Sequence, residues 1–342
     1  MNQYEFFSIK HARLFYMVRV TLVMSAILLI VRLFELPYGY WALITAATIL
    51  GAIPLIGGVL TKANQRVWGT LIGGLLGLTM FLIPDAYHWT HHILFLAVLL
   101  TAMYFTQEKY SYAAVMVAIT VVIVAGGGPA DFDAAKWRII NVAWAAVLSV
   151  VSSLYVFPDR ATRHFIYLLE EFLEQSAQCY RQHNVLMEHS EFKPMHAEKL
   201  ASLIDKQQAL LPHLRKESSR QFGLFSNALM IQKRLYADLE TLFSTNWDAQ
   251  QGKDKISDMP GLTDAKQQLA GMFTTLSNQI AEKNVDAVLQ EDIPLLQLVP
   301  LGHESQPGDS SDISYYGYLW LNREMARQFS HLTEICSKLM RY

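Results

Sequence analysis

Along the first 158 residues apolar positions run on almost unbroken, in stretches near the roughly 20 residues that a helix needs to cross a hydrocarbon core about 30 Å thick. Windows without any charge fall at 36–61, 67–84, 86–107, 110–130 and 139–158, and a further apolar stretch, Leu14 to Phe34, is broken only by Arg19 and Arg32. The pattern predicts six transmembrane helices, at about 14–34, 36–58, 67–84, 89–107, 110–127 and 138–157. Helices of a soluble core carry a charged outer face, and these stretches do not. The first is too long for a signal-peptide core and no evident small-residue cleavage site follows it, so it reads as a span.

Past Pro158 the period changes. Phe165, Leu168, Leu169, Phe172, Leu173 and Cys179 trace one face of a long amphipathic helix, with Glu170, Glu171 and Glu174 on the other. Further helices are predicted after Pro194, from about Gln221 to Phe243 and from about Leu262 to Leu289, separated by Gly252, Pro260 and the polar stretch from Pro300 to Asp312. In the last helix Tyr318, Met325, Leu332 and Leu339 recur every seven residues, with Leu321 and Ile335 on the row between, a spacing that packs one helix on another. No strand pattern is present. The expected fold is therefore all-α: a six-helix transmembrane bundle over residues 1–158, then a cytoplasmic antiparallel helical domain over 159–342. That domain reads as a stalk or dimerisation unit, with ligand sensing as the alternative.

Charge sharpens this division. Up to Pro158 there are nine Lys/Arg against six Asp/Glu, and from Asp159 onward 19 against 24, so the chain's net charge of −2 averages two unlike materials. A wholly soluble enzyme, a secreted disulfide scaffold and a basic nucleic-acid binder are excluded. In a six-fold zigzag Lys10, Arg13, Lys62, Arg66, Lys109, Arg160 and Arg163 fall on one side, while Glu35, Asp85, Asp131 and Asp133 fall on the other, with Lys136 and Arg138 as exceptions. The positive-inside rule then puts both termini in the cytoplasm. Cys179 and Cys336 are expected to remain thiols there.

Within the spans, Gly69, Gly73 and Gly77 lie four residues apart with Gly74 beside them, a groove that admits another backbone. Ala145, Ser149 and Ser153 offer a weaker version, and Gly51 and Pro54 interrupt the second span. Charges at membrane depth need a partner or an escape to water, at roughly 2.5–3.5 kcal/mol each. Arg19 either snorkels to the headgroups or faces inward as a carboxylate receptor. Lys62 and Arg66 border one end of the glycine-lined helix and Arg138 the opposite end of the sixth, so these cations either set topology or line an anion path, since a guanidinium fork matches a carboxylate. His88, His91 and His92 with Asp85 form a loop cluster that reads as solvated or interfacial, and no metal site is expected. Tyr38, Tyr40, Trp41, Trp137 and Trp144 suit a headgroup belt, or a stack on an aromatic ligand.

Arg19, Pro54, the run Arg66-Val67-Trp68-Gly69-Thr70 leading to Gly73 and Gly77, Trp137-Arg138 opening a span that closes on Pro158, and Tyr316-Gly317-Tyr318-Leu319-Trp320-Leu321-Asn322 together resemble the fusaric acid resistance-like (FUSC) proteins, which include bacterial aromatic acid exporters. The resemblance implies a bacterial inner-membrane protein of a short, six-span type. Longer relatives carry the membrane unit twice, which implies a homodimer or higher homo-oligomer here. Asn141 and Ala145 stand where that likeness calls for an acidic residue and a glycine.

The expected function is export of small organic anions, aromatic carboxylates foremost, across the lipid bilayer. A gated anion channel and a non-transporting anchor that recruits partners are the alternatives. There is no Walker sequence, no clustered Ser/His/Asp, no Cys-x-x-Cys and no dinucleotide fingerprint on suitable structure, so no catalytic residue, cofactor or nucleic-acid partner is expected.

Overall fold

The computed structural model of the chain describes residues 7–9, 11–51, 55–83, 88–126, 132–189, 198–245, 256, 258–282, 292–298 and 310–341. Regular structure among them is entirely helical, and the chain divides into two compact units, Phe7–Ala161 and a second built on Thr162–Tyr342.

The first unit holds six principal helices: α1 (Ala12–Leu33), α2 (Tyr40–Leu50), α3 (Ile56–Thr79), α4 (His88–Tyr104), α5 (Ser111–Ala125) and α6 (Phe132–Tyr155). Three stretches, Ala12–Leu33, Trp89–Gln107 and Phe132–Tyr155, are long and apolar enough to cross a membrane by length and composition. Two of the other helices depart from the sequence expectation. Instead of running from 36 to 58, α2 ends at Leu50, where Gly51 closes it with an N–H donated to the Ala47 carbonyl. Pro54 lies outside the described residues. The α3 helix begins at Ile56 rather than 67, so Lys62 and Arg66 are helical residues and not loop charges. At the expected rise per residue α2 is only about 16 Å long and α5 about 22 Å, both short of the hydrocarbon thickness.

Why α3 starts so early is visible in its buried stripe. Val59, Ala63, Arg66, Thr70, Gly73 and Gly77 are all buried and recur at alternating intervals of four and three residues, so Arg66 sits on the core face. The Ile56 N–H donates to the Asp159 carbonyl and anchors that end of α3 beside the segment following α6.

The glycine row does what its spacing implies. A Cβ on Gly69 would fall 2.6 Å from the Ala113 carbonyl oxygen, one on Gly73 2.7 Å from that of Val117, and one on Gly77 2.8 Å from a Val124 methyl. These contacts rise in register, so α3 and α5 run parallel with their backbones almost touching. Gly74 faces Ile139 of α6, which runs antiparallel to α3. The Ser149 hydroxyl donates to the Ala145 carbonyl and that of Ser153 to the Ser149 carbonyl, so both buried hydroxyls are satisfied within α6.

Two non-glycine residues with φ near +50° shape the turn between α1 and α2: Glu35 at 47° and Tyr38 at 55°. Such conformations cost on the order of 1–3 kcal/mol each and need surrounding contacts to hold them.

In the second unit the principal helices are α7 (Ala161–His189), α8 (Glu198–Glu217), α9 (Phe222–Ser244), α10 (Leu262–Glu282), the single turn α11 (Pro294–Gln297) and α12 (Ser310–Met340). The buried face of α7 passes through Phe165, Leu169, Phe172, Leu173, Ala177, Tyr180 and His183, leaving Cys179 half-buried at its edge. On α12 the row between the predicted heptad positions is Asn322, Phe329 and Cys336, with Ile335 only half-buried, a shift of one position at Ile335 from the sequence reading. Two polar pairs lie in this core: the Tyr180 hydroxyl donates to Asn322 at 2.5 Å, and Gln207 and Gln232 exchange amide hydrogen bonds at 2.7 and 2.8 Å. Burial, reinforced by the nearby Lys266 ammonium, pushes the His183 imidazole down to about 3, so it is neutral in the folded core.

Candidate functional site

The cations singled out by the sequence separate into two places. Lys62, Arg66 and Arg138 are brought together, and Arg19 is not.

Arg19 is buried and its Nη1 donates to the Phe157 carbonyl at 3.4 Å, with Asp159 close enough to act on it electrostatically. Phe157 has φ 49°, and its ring lies 4.9 Å from that of Phe15. Arg19 therefore fastens α1 to the left-handed break that ends α6. Arg138 lies near the other end of the same helix, about 25 Å away along its axis.

Arg66, only 2% exposed, has its donors aimed at α2 and α5. Its Nε donates to the Thr45 hydroxyl at 3.1 Å, and its Nη1 donates to the Tyr112 hydroxyl at 3.1 Å and to the Met116 sulfur at 3.0 Å. The ammonium of Lys62, one turn earlier on α3, lies 5.7 Å from the centre of the same Tyr112 ring. Arg138, 1% exposed, stacks its guanidinium 3.7 Å over the Trp41 ring, and its Nη2 donates to Thr120 at 3.2 Å.

These partners define a row. Tyr112, Met116 and Thr120 occupy successive turns of α5, so the cations contacting them are spread over about 12 Å. Trp41 and Thr45 are successive turns of α2 and meet Arg138 and Arg66 in the reverse order, which sets α2 antiparallel to α5. The row thus runs between the two shortest helices of the unit. Both lie close against glycine or other small residues of α3 and α6.

Its electrostatics are unbalanced. Arg66 and Arg138 are near enough to repel each other. Among the described residues neither guanidinium has a carboxylate partner, and the Nε and Nη1 of Arg138 are buried with no hydrogen-bond partner. Bringing a cation out of water costs several kcal/mol even after relaxation, and an unpaired neighbour of like charge adds to this. What such a site accepts is negative charge with planar or multiple oxygen acceptors, beside an indole face for an apolar ring.

Asn141, one turn after Arg138, has its side chain fully committed. Its amide donates to the Pro37 carbonyl at 2.9 Å and the Tyr38 carbonyl at 3.2 Å, while its oxygen accepts from Trp144 Nε1 at 2.9 Å. This fixes the strained turn that carries Trp41 into place under Arg138. An acidic residue here could not donate to those carbonyls, which accounts physically for an amide at this position.

Sequence reasoning missed Thr45, Tyr112, Met116 and Thr120. Their role depends on which helices α3 and α6 face, which the order of residues does not show. Of the histidines, His91 and His92 lie in the first turns of α4, not in a hairpin, with rings 5.7 Å apart. No cluster of three or more His, Cys, Asp or Glu with metal-binding geometry occurs among the described residues.

Residues 25–152, which take in all the contacts of the row, match the fusaric acid resistance protein-like family. The whole chain is also similar to the inner membrane protein YeeA of Escherichia coli K12, at 25% identity over 361 aligned positions that cover 100% of this chain and 98% of the relative. Together the two likenesses support a bacterial inner-membrane location and a transporter-like role.

Proposed function

We propose that this chain, which resembles the fusaric acid resistance protein-like family over residues 25–152 and an inner membrane protein over its whole length, exports small organic anions, aromatic carboxylates foremost, along the row of Lys62, Arg66 and Arg138. The observation that carries this reading is the uncompensated pair of buried guanidinium groups, with the open donors of Arg138 beside the Trp41 ring. Lys62, half-buried at one end, receives the anion; Arg66 and Arg138 hold its carboxylate in turn, and the indole of Trp41 stacks on its ring. The six helices form the membrane unit with both termini in the cytoplasm, and the protein works as a homodimer or higher homo-oligomer, in keeping with relatives that carry the membrane unit twice.

A gated anion channel is the second reading. It is favoured by Asn141, whose carboxamide does not titrate and is held by three hydrogen bonds, so it offers no proton carrier beside the row. Purified protein in liposomes, loaded with benzoate, decides between the two. Benzoate movement that requires a pH gradient supports the exporter. Movement that persists at equal pH, and reverses with the benzoate gradient, supports the channel. No movement above protein-free liposomes in either condition contradicts both.

A further inference from the structure

A cavity of about 510 Å³ lies between α3, α4 and α5. Its wall is apolar, built from Ile72 and Leu76, Ala97 and Val98, and Ala114 and Val117, and its volume lies in the range that takes a ligand-sized apolar group. Glu108 is the one charged residue among the described residues of the lining. Beside it the Lys109 ammonium sits 5.5 Å over the ring of Tyr110, which also lines the cavity.

The cavity opens sideways. Ile72 is 45% exposed, Phe105 50% and Tyr110 61%, and along α4 the side chains of Trp89, Ile93, Leu96 and Leu100 are all more than half exposed. In a membrane-embedded unit such a surface faces hydrocarbon, and an apolar wall with nothing against it forfeits its dispersion contacts. Neighbouring charges of opposite sign at the rim match a headgroup that itself carries both signs. A free fatty acid would bring its carboxylate up to Glu108, and an anionic phospholipid lacking an ammonium would leave Glu108 without a partner.

We propose that this cavity holds one acyl chain of a zwitterionic phospholipid, its ammonium paired with Glu108 and its phosphate with Lys109. Bound there, the chain backs α5 through Ala114 and Val117, and Val117 also abuts Gly73. The lipid therefore props the helix that carries Tyr112, Met116 and Thr120. The proposal stands whether or not the protein moves anions.

The test is native mass spectrometry of the full chain, delipidated in mild detergent and offered phosphatidylethanolamine, phosphatidylglycerol or palmitate. One phosphatidylethanolamine per protomer is expected to be retained at least about tenfold more tightly than phosphatidylglycerol, a difference of about 1.4 kcal/mol. Ala97→Trp, which fills the cavity, should lose the bound lipid, and Glu108→Gln, at an exposed position that leaves the fold intact, should erase the headgroup preference while keeping the chain bound. Equal retention of the two phospholipids by the unaltered protein, preference for palmitate, or undiminished lipid on Ala97→Trp overturns the proposal.

Discussion

The Arg138→Ala protein is expected to bind benzoate at least about thirtyfold more weakly than the unaltered protein, because truncating one member of a buried charged pairing costs about 2 kcal/mol or more. Its thermal stability should not fall in step. Arg138 has buried Nε and Nη1 donors without partners and is repelled by Arg66, so its removal relieves two unfavourable contributions while giving up a stack on Trp41 and one bond to Thr120. Loss of binding with unchanged or raised stability is the signature of a residue kept for a ligand. Arg138→Lys, which retains charge without the planar fork, should recover only part of the affinity. Arg19→Ala is expected to behave oppositely: it frees the Phe157 carbonyl and loosens the strained break at φ 49°, lowering stability while leaving benzoate affinity near its starting value. Isothermal titration and thermal unfolding of the same preparations separate the two patterns. Benzoate affinity of Arg138→Ala within twofold of the unaltered protein would remove it from the site.

A second large effect is expected at the α3–α5 seam. In Gly73→Ala the new Cβ would lie 2.7 Å from the Val117 carbonyl oxygen and 2.8 Å from the Thr120 Cβ, so α5 must move as a backbone. Overpacking of this kind costs typically 1–3 kcal/mol. Because Thr120 holds Arg138 and Met116 holds Arg66, the displacement should also reduce benzoate transport. Gly74→Ala is the matched control. Its Cβ meets only the flexible end of Ile139, at 2.9 Å, and a rotamer change there accommodates it. Thermal unfolding in detergent should show a clear drop for Gly73→Ala and little change for Gly74→Ala, and equal drops for the two would contradict the seam as drawn.

Much of this arrangement could be read from residue order. The run of uncharged windows pointed to an all-helical first unit, the glycine spacing identified the seam, and the scarcity of charge picked out Arg19, Lys62, Arg66 and Arg138 as the residues to follow. Local pattern failed where tertiary packing decides the outcome. Residues 36–61 contain no charge, so nothing in hydropathy marks the end of α2 at Leu50 or the start of α3 at Ile56. Lys62 and Arg66 then fell at a loop and helix border, where setting topology and lining an anion path both stayed open, although Arg66 continues the buried stripe from Val59 to Gly77. The partners of the cations were not legible for a related reason. Thr45, Tyr112, Met116 and Thr120 are ordinary residues in apolar runs, and their significance lies in α2 and α5 being drawn to opposite sides of one row.

Arg19 and Arg138 show how similar sequence contexts diverge. Each is an arginine about a turn or two inside an apolar helix, and each is almost wholly buried. Arg19 meets a carbonyl and a nearby aspartate, and becomes a brace. Arg138 meets an aromatic face and a hydroxyl, and keeps donors to spare.

The most direct measurement compares benzoate with benzamide, its uncharged counterpart of nearly the same shape, in protein-containing liposomes after subtracting the leak of protein-free ones. Carriage along a row of cations predicts that benzoate moves at least about tenfold faster, a difference of about 1.4 kcal/mol, and that changing Arg66 and Arg138 together to alanine abolishes the preference. Equal rates for the two solutes, or a preference that survives the double change, would contradict it.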